Sequence, residues 1–242
     1  MCATCGCGNE DVRVEGRPHS HPHSHDVVAI ETALLAKNAA RAGQNRAWLA
    51  DRGIVALNLM SSPGSGKTSL LARTITELAG SRAIGVVEGD QETRLDAERI
   101  RSTGASVVQI NTGAGCHLDA SMLARGLTEL GPQDGSLVFV ENVGNLVCPA
   151  LFDLGEAAKV VVVSVTEGED KPLKYPYMFS VADLVVINKI DLLPYVDVDL
   201  DRLTANCRSV RAGVEVLPLS VTTGEGMDAW CDWLAGSRPP VP

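Results

Sequence analysis

From residue 54 onward, short apolar runs alternate with amphipathic stretches. The runs cover 54–60, 83–87, 107–110, 137–140, 160–165, 184–187 and 214–217. They are rich in β-branched residues and mostly continuous, the pattern of strands buried on both faces of a parallel sheet. Stretches beginning at Lys67, Thr93, Leu118, Leu200 and Gly226 read as intervening helices. This rhythm predicts a three-layer α/β domain with a mostly parallel sheet and right-handed crossovers. Upstream, Val27, Ile30, Leu34 and Leu35 recur at helical spacing, and Ala39, Trp48 and Leu49 extend the apolar character. They predict one or two helices ending near Gly53. The first 25 residues are rich in Gly, Pro, Ser, His and charge and have almost no apolar periodicity, so a disordered tail is expected there. The chain thus divides into a tail over 1–25, a helical segment over 26–53 and one sizeable domain over 54–242.

Charge and composition narrow the function. The 242 residues carry 21 basic and 30 acidic side chains, a formal charge of −9. That excess argues against a nucleic-acid partner, which needs a Lys/Arg-rich face. No apolar run approaches the roughly 18–20 residues that cross a bilayer, and no charged-then-apolar secretory layout opens the chain. A cytoplasmic location without membrane partners is expected, so the seven cysteines read as thiols or metal ligands before disulfides.

After the first predicted strand comes Ser61-Ser62-Pro63-Gly64-Ser65-Gly66-Lys67-Thr68. It matches the P-loop pattern G-x-x-x-x-G-K-[ST] except that Ser61 replaces the first Gly. Glycines let backbone N–H groups close around phosphate oxygens, and the helix start favours anions. Lys67 is expected at the β/γ-phosphates and the Thr68 hydroxyl on Mg²⁺. Gly64, Ser65, Gly66 and Ser69 complete the expected phosphate side.

A second nucleotide motif, Asn188-Lys189-Ile190-Asp191, follows the strand at 184–187. An ionised Asp191 carboxylate accepts hydrogen bonds only. Guanine offers it adjacent N–H donors, whereas adenine sets an acceptor against it. An unpaired buried acceptor costs about 1–3 kcal/mol, so the pair of motifs favours GTP over ATP. The Lys189 stem can cover the base, and Ser220 after the last strand is a second base-side candidate. Asp90 and Glu141 end the second and fourth strands and are expected near the Mg²⁺, directly or through water. No Gln is placed to orient the attacking water and no arginine is assignable as a finger, so slow intrinsic turnover is expected.

Cysteine and histidine cluster. Cys2, Cys5 and Cys7 pack three thiols into six positions, and the α-amine is near enough to be a fourth donor. Three sulfurs and one nitrogen in a plane suit Ni²⁺, while Cu(I) and Zn²⁺ accept the same donors. His19, His21, His23 and His25 add imidazoles suited to loosely held Ni²⁺ or Zn²⁺, or else form a solvated linker. Cys116 and His117 follow the third strand, and Cys148 lies seven positions after Glu141. Both loops leave the sheet edge that carries the phosphate motif. One chain would supply three ligands and an open position; a symmetric dimer would bring two such sets together. Because Glu141 and Cys148 share one loop, nucleotide state could reposition a metal ligand. Cys207 and Cys231 lack a histidine neighbour and read as structural.

Together these residues resemble the hydrogenase nickel-incorporation GTPases, the HypB family of SIMIBI-class P-loop proteins. The resemblance runs through Cys2/Cys5/Cys7, the His-rich linker, the P-loop and Glu88-Gly89-Asp90-Gln91. It continues through the segment from Asn111 to His117, Glu141-Asn142-Val143-Gly144-Asn145-Leu146-Val147-Cys148-Pro149 and Asn188-Lys189-Ile190-Asp191. Glu167-Gly168-Glu169-Asp170-Lys171-Pro172 is similar to the family's lysine-bearing segment near the nucleotide and dimer interface, which makes Lys171 a nucleotide-side candidate. The resemblance implies a metallochaperone that uses GTP to time nickel delivery to the [NiFe]-hydrogenase large-subunit precursor. It implies a homodimer on GTP binding, a tight Ni²⁺ site at the tail thiols and a weaker Ni²⁺/Zn²⁺ site at Cys116, His117 and Cys148. The implied partner is the small zinc-containing nickel chaperone HypA. The related urease-accessory GTPases carry Cys-Pro-His in this loop, whereas Cys148-Pro149 here is followed by Ala150. A passive nickel buffer and a cobalamin-enzyme chaperone are the remaining alternatives.

Overall fold

Each of the seven apolar runs becomes a strand: β1 Val55–Ser61, β2 Ile84–Asp90, β3 Ser106–Asn111, β4 Leu137–Glu141, β5 Ala158–Ser164, β6 Leu184–Asn188 and β7 Glu215–Pro218. The computed structural model describes residues 25–90, 95–113 and 115–241, the side chains of 25–31, 90, 95 and 96 excepted. The strands form one sheet in the order β3-β2-β4-β1-β5-β6-β7, and every neighbouring pair is parallel. A parallel sheet delivers the C-terminal ends of all its strands to one edge. The loops after β1, β3, β4 and β6, which hold the candidate residues, therefore open on the same side. Strand β1 lies between β4 and β5, where the chain order reverses, the place where open α/β sheets form their ligand crevice.

Helices cover both faces: α1 His25–Asp51, α2 Lys67–Glu77, α3 Leu95–Arg101, α4 Ala120–Leu130, α5 Cys148–Leu151, α6 Lys171–Lys174, α7 Pro176–Ser180, α8 Leu200–Val210 and α9 Met227–Gly236. Alternate residues of β1 divide the core. Val55, Leu57 and Leu59 pack with Leu70 and Leu71 of α2 and Trp230 and Leu234 of α9. On the other face Ala56 packs with Leu49, Leu118, Leu123 and Phe152, and Met60 with Met178, Phe179 and Leu203. Trp230 is fully buried, and its indole N–H donates to Thr74 Oγ1 at 2.8 Å, so the large ring is buried without orphaning its donor. Helices α5 to α7 span four or five residues each, too short for a 3.6-residue repeat to announce them.

Helix α1 is one continuous helix of 27 residues. Its apolar positions mark its buried face only in part: Leu49 is buried along with Ala42 and Asn45, while Leu34 and Leu35 stay 56% and 41% exposed. Polar keys dock it. Asn38 Nδ2 donates to Asp153 O (2.7 Å) and Asn38 Oδ1 accepts from Ala120 N (2.9 Å). Asn45 Nδ2 donates to the carbonyls of Ala120 and Leu154 at 2.8 and 2.9 Å. Arg46 pairs with Asp153 at 2.8 Å. Backbone carbonyls at the start of α4 and in the loop before β5 require donors when covered, and these side chains supply them. Among the described residues no helix is long and apolar enough to cross a membrane.

Candidate nucleotide and metal site

The phosphate motif spans the junction of β1 and α2, with Lys67 as the first helical residue. Gly66, just before it, has φ +100°, and a Cβ there would lie inside van der Waals contact of Asn188 Nδ2. Glycine is required both for the backbone angle and for that approach. Lys67 is 9% exposed, with Nζ 3.9 Å from Glu141 Oε1. Thr68 Oγ1 donates to the same Glu141 oxygen at 2.6 Å. Ser65 Oγ is buried and has no protein hydrogen-bond partner. Ser69 is half-buried on the first turn of α2.

The second motif closes on the first. Asn188 Nδ2 donates to Ser65 O at 2.9 Å, and Lys189 Nζ donates to Gly64 O at 2.7 Å. Lys189 has φ +64°, the one non-glycine residue with positive φ among those described. Such a backbone angle persists only where its surroundings hold it; here Asn188 Oδ1 accepts the Lys189 N–H at 2.7 Å. Asp191 Oδ1 accepts from Ser220 Oγ at 2.5 Å, so Ser220 orients the carboxylate. Lys171 Nζ pairs with Glu167 Oε2 at 3.1 Å and lies 4.9 Å above the Tyr175 ring. The same Glu167 oxygen accepts from the Ser62 hydroxyl, which links Lys171 to the phosphate loop. Asp90 ends β2, in register with Asn111 of β3; its side chain lies outside the described residues. The hydroxyl of Thr68 and the carboxylate of Glu141 form an all-oxygen donor pair that fits a hard cation such as Mg²⁺.

Two loops meet to build the sulfur-rich cluster. After β3, Gly113 N donates to Asn111 Oδ1 (2.7 Å) and Gly115 N to Thr112 O (2.9 Å), a tight turn that presents Cys116 and His117. After β4, the chain presses Gly144 against Pro63 of the phosphate loop, where a Cβ would sit 3.2–3.3 Å from three Pro63 atoms. It then enters α5 at the fully buried Cys148. The ligand atoms of Cys116, His117 and Cys148 lie within 4.8 Å of one another. The His117 ring stacks on Phe152 at 3.9 Å and 21°. Burial pushes its pKa below the ordinary 6.5, with Asp119 opposing only in part. The imidazole is therefore neutral at pH 7, the form that binds metals. Two sulfurs and one imidazole suit Ni²⁺ or Zn²⁺ and leave room for a fourth donor. Cys2, Cys5 and Cys7 lie outside the described residues, as do His19, His21 and His23.

Three residues quoted within the resemblance motifs, but given no role of their own there, are brought forward by this geometry. Glu167 joins Ser62 to Lys171, and its Ser164-x-x-Glu167 capping box was readable in the sequence. Gly144 is the contact point between the β4 loop and the phosphate loop, signalled in sequence by its place in the Glu141-to-Pro149 motif. Asn142 stands in the same motif, and nothing local in the sequence gave it a role.

Comparison with known proteins agrees with this architecture. Residues 55–218 match the family model of the CobW/HypB/UreG nucleotide-binding domain. The hydrogenase maturation factor HypB of Rhizobium leguminosarum bv. viciae is 56% identical over 208 residues, covering 86% of this chain and 70% of that protein. Among solved structures, HypB from Archaeoglobus fulgidus superposes with a TM-score of 0.78 at 42% identity, over 84% of this chain and 98% of that one. HypB from Helicobacter pylori in complex with nickel superposes at 0.77 and 36% identity, over 83% and 94%. With a family match across the whole sheet and close relatives along most of its length, the chain belongs to the CobW/HypB/UreG family, in its HypB branch.

Proposed function

We propose that this protein is a GTP-hydrolysing nickel metallochaperone that delivers nickel during maturation of [NiFe]-hydrogenase, with nucleotide state timing the transfer. One observation carries the reading: the loop leaving β4 touches the phosphate motif at Glu141 and Gly144 and ends at Cys148, beside Cys116 and His117. A rearrangement at the phosphates has only seven residues to travel before it reaches a thiol. The nickel complex of the Helicobacter pylori relative supports nickel as cargo, and the two-sulfur, one-imidazole donor set accepts Zn²⁺ as well.

In this reading Lys67 and the backbone of Gly64, Ser65 and Gly66 hold the phosphates. Ser69 closes the same side, and Asn188, Lys189, Asp191 and Ser220 hold and read guanine. Thr68 binds Mg²⁺, with Asp90 and Glu141 near it. That ion supplies charge neutralisation at the phosphates when bound. Lys171, tethered through Glu167 to the phosphate loop, lies at the interface of a homodimer that forms on GTP binding. Cys2, Cys5 and Cys7 hold nickel in a tail over 1–25, ahead of a helical segment over 26–53 and the GTPase domain over 54–242. HypA and the hydrogenase large-subunit precursor are the partners, in the cytoplasm. Turnover by the protein alone is slow.

The test is a nickel and zinc titration of the protein with GDP and with a GTP analogue, comparing wild type with Cys148→Ser. Nickel affinity at the Cys116/His117/Cys148 site is expected to change between nucleotide states, and Cys148→Ser to abolish that change. Equal affinity in both states would remove the coupling.

A further inference from the structure

A chain of buried polar side chains runs through the centre of the molecule to both metal loops. Asn58 sits mid-strand in β1, Asn142 follows β4, and Glu156 precedes β5; they are 0%, 1% and 7% exposed. Asn142 Oδ1 accepts from Leu118 N (3.1 Å), the residue after His117, and from Val143 N (3.0 Å), the start of the loop to Cys148. Asn142 Nδ2 donates to Asn58 Oδ1 at 3.3 Å, and Asn58 Nδ2 donates to Glu156 Oε1 at 3.1 Å. Glu156 Oε2 accepts from Leu154 N at 2.7 Å, and Lys159 Nζ lies 3.7 Å from Oε1. Burial pushes the Glu156 pKa up, the Lys159 ammonium and the Asn58 hydrogen bond oppose it, and Asp153 adds to the rise; toward Asn58 and Leu154 N both of its oxygens accept.

The chain has a direction that its ends impose. Backbone N–H groups stand at both ends, Leu154 at one and Leu118 with Val143 at the other, and none of them can reverse. A side-chain amide has one donor end and one acceptor end. A row of amides alone would set two donors against each other somewhere. A single group that accepts at both oxygens removes the conflict, and here it is the Glu156 carboxyl. Every hydrogen bond then points toward Glu156, so the oxygen of Asn142 faces the two metal loops. Buried amides left with mismatched neighbours are costly.

We infer that Glu156, through Asn58 and Asn142, is a positioning network that clamps the Cys116–His117 loop to the Cys148 loop and sets the geometry in which the three side chains bind nickel. The inference rests on the metal reading of Cys116, His117 and Cys148. None of the three network residues touches the metal; they act through the backbone of Leu118 and Val143.

The logic of direction supplies its own test. Asn142→Asp places carboxylates at both ends of Asn58, which can donate to only one. Glu156→Gln leaves two donors facing each other. In the double variant the group that accepts at both oxygens has moved to the other end. The new amide at position 156 can then accept from Leu154 N and donate to Asn58. Asn58 in turn can donate to the new carboxylate at position 142, which still accepts from Leu118 N. All four sequences are made as the full chain with Cys2, Cys5 and Cys7 replaced by Ser, so that one site reports. Nickel alone is titrated and followed by its thiolate absorption band, with Tm measured alongside. Each single variant is expected to weaken nickel binding by about ten- to a hundredfold. The double variant should return to within about threefold of the parent, a non-additivity that independent sites do not show.

Single variants with lowered Tm but parental nickel affinity would overturn the proposal, as would a double variant no better than the weaker single. If a single variant fails to fold, the double decides: parental nickel binding supports the network, and misfolding or weak binding overturns it. Cys148→Ser in the same background separates the two readings. If it leaves nickel affinity unchanged, the metal assignment itself fails. If it weakens binding while the network variants do not, only the network fails.

Discussion

The nucleotide side and the proposed metal side of this rim are built in opposite ways. On the nucleotide side, two contiguous motifs bring their own backbone geometry: Gly66 turns the chain into α2, Lys189 takes a left-handed angle, and Asn188 bonds directly to Ser65 O. On the metal side no motif is contiguous. Cys116 and His117 come from the β3 loop, Cys148 from the β4 loop, and a buried Asn142 between them accepts from both. The nucleotide side is specified locally and closed by a few contacts; the metal side exists only when the sheet has formed. In the nucleotide-free protein, a change on the nucleotide side should therefore leave metal binding intact, whereas a change in the core should reach the metal.

Lys67→Ala is the largest blow to that division. Removing the buried ammonium should lower GTP turnover by about 10²–10³-fold, the usual loss of one transition-state contact, measured as phosphate release. Nickel affinity of the nucleotide-free protein should stay at the wild-type value. If it falls in parallel, the two sides are not separable.

Gly66→Ala comes next. The strained φ of +100° and the intrusion on Asn188 Nδ2 should cost about 1–3 kcal/mol. In a chain of this size that lowers Tm by roughly 2–4 °C per kcal/mol, read by calorimetry. An unchanged Tm would show that the two motifs are not locked together before nucleotide arrives.

The smallest effect separates ligand thiols from structural ones. Burial pushes the Cys207 thiol up to about 12. Cys231 is raised to about 11, first by burial and then by Glu77, Asp228 and Asp232 around it. At pH 8 only about one Cys231 in a thousand is thiolate, so its alkylation should rise about tenfold per pH unit until the pH nears 11. Cys207 should label only on unfolding. Partly exposed Cys116 should label first among the four described cysteines, and added nickel should protect it. Peptide mass spectrometry gives the order. Rapid labelling of Cys207 in folded protein would mean that its burial is not maintained in solution.

How far each side could be read from the chain follows from the same contrast. Seven strands were legible because strands buried on both faces leave continuous β-branched runs, such as Val160 to Val163. The phosphate and base motifs were legible because each is a few residues with fixed backbone demands. Helix α1 was legible as a helix but not in its orientation. Leu34 and Leu35 belong to the apolar repeat yet stay exposed, whereas Asn38, Asn45 and Arg46 dock it by hydrogen bonds to groups far away in sequence. Periodicity reports where apolar groups recur and carries no information about where an unpaired carbonyl waits. Glu156 and Asn58 lay beyond reach for the same reason. A polar residue inside an apolar run reads as an interruption until its partner, 98 residues away, is seen beside it.

By itself, then, the sequence determined the parallel α/β sheet, the two nucleotide motifs and the roster of soft donors, since each is written in local pattern and local chemistry. Tertiary structure alone decided which of those donors meet, how α1 is seated, and which way the buried amides point. Those outcomes depend on hydrogen bonds between groups that only the finished sheet brings within reach.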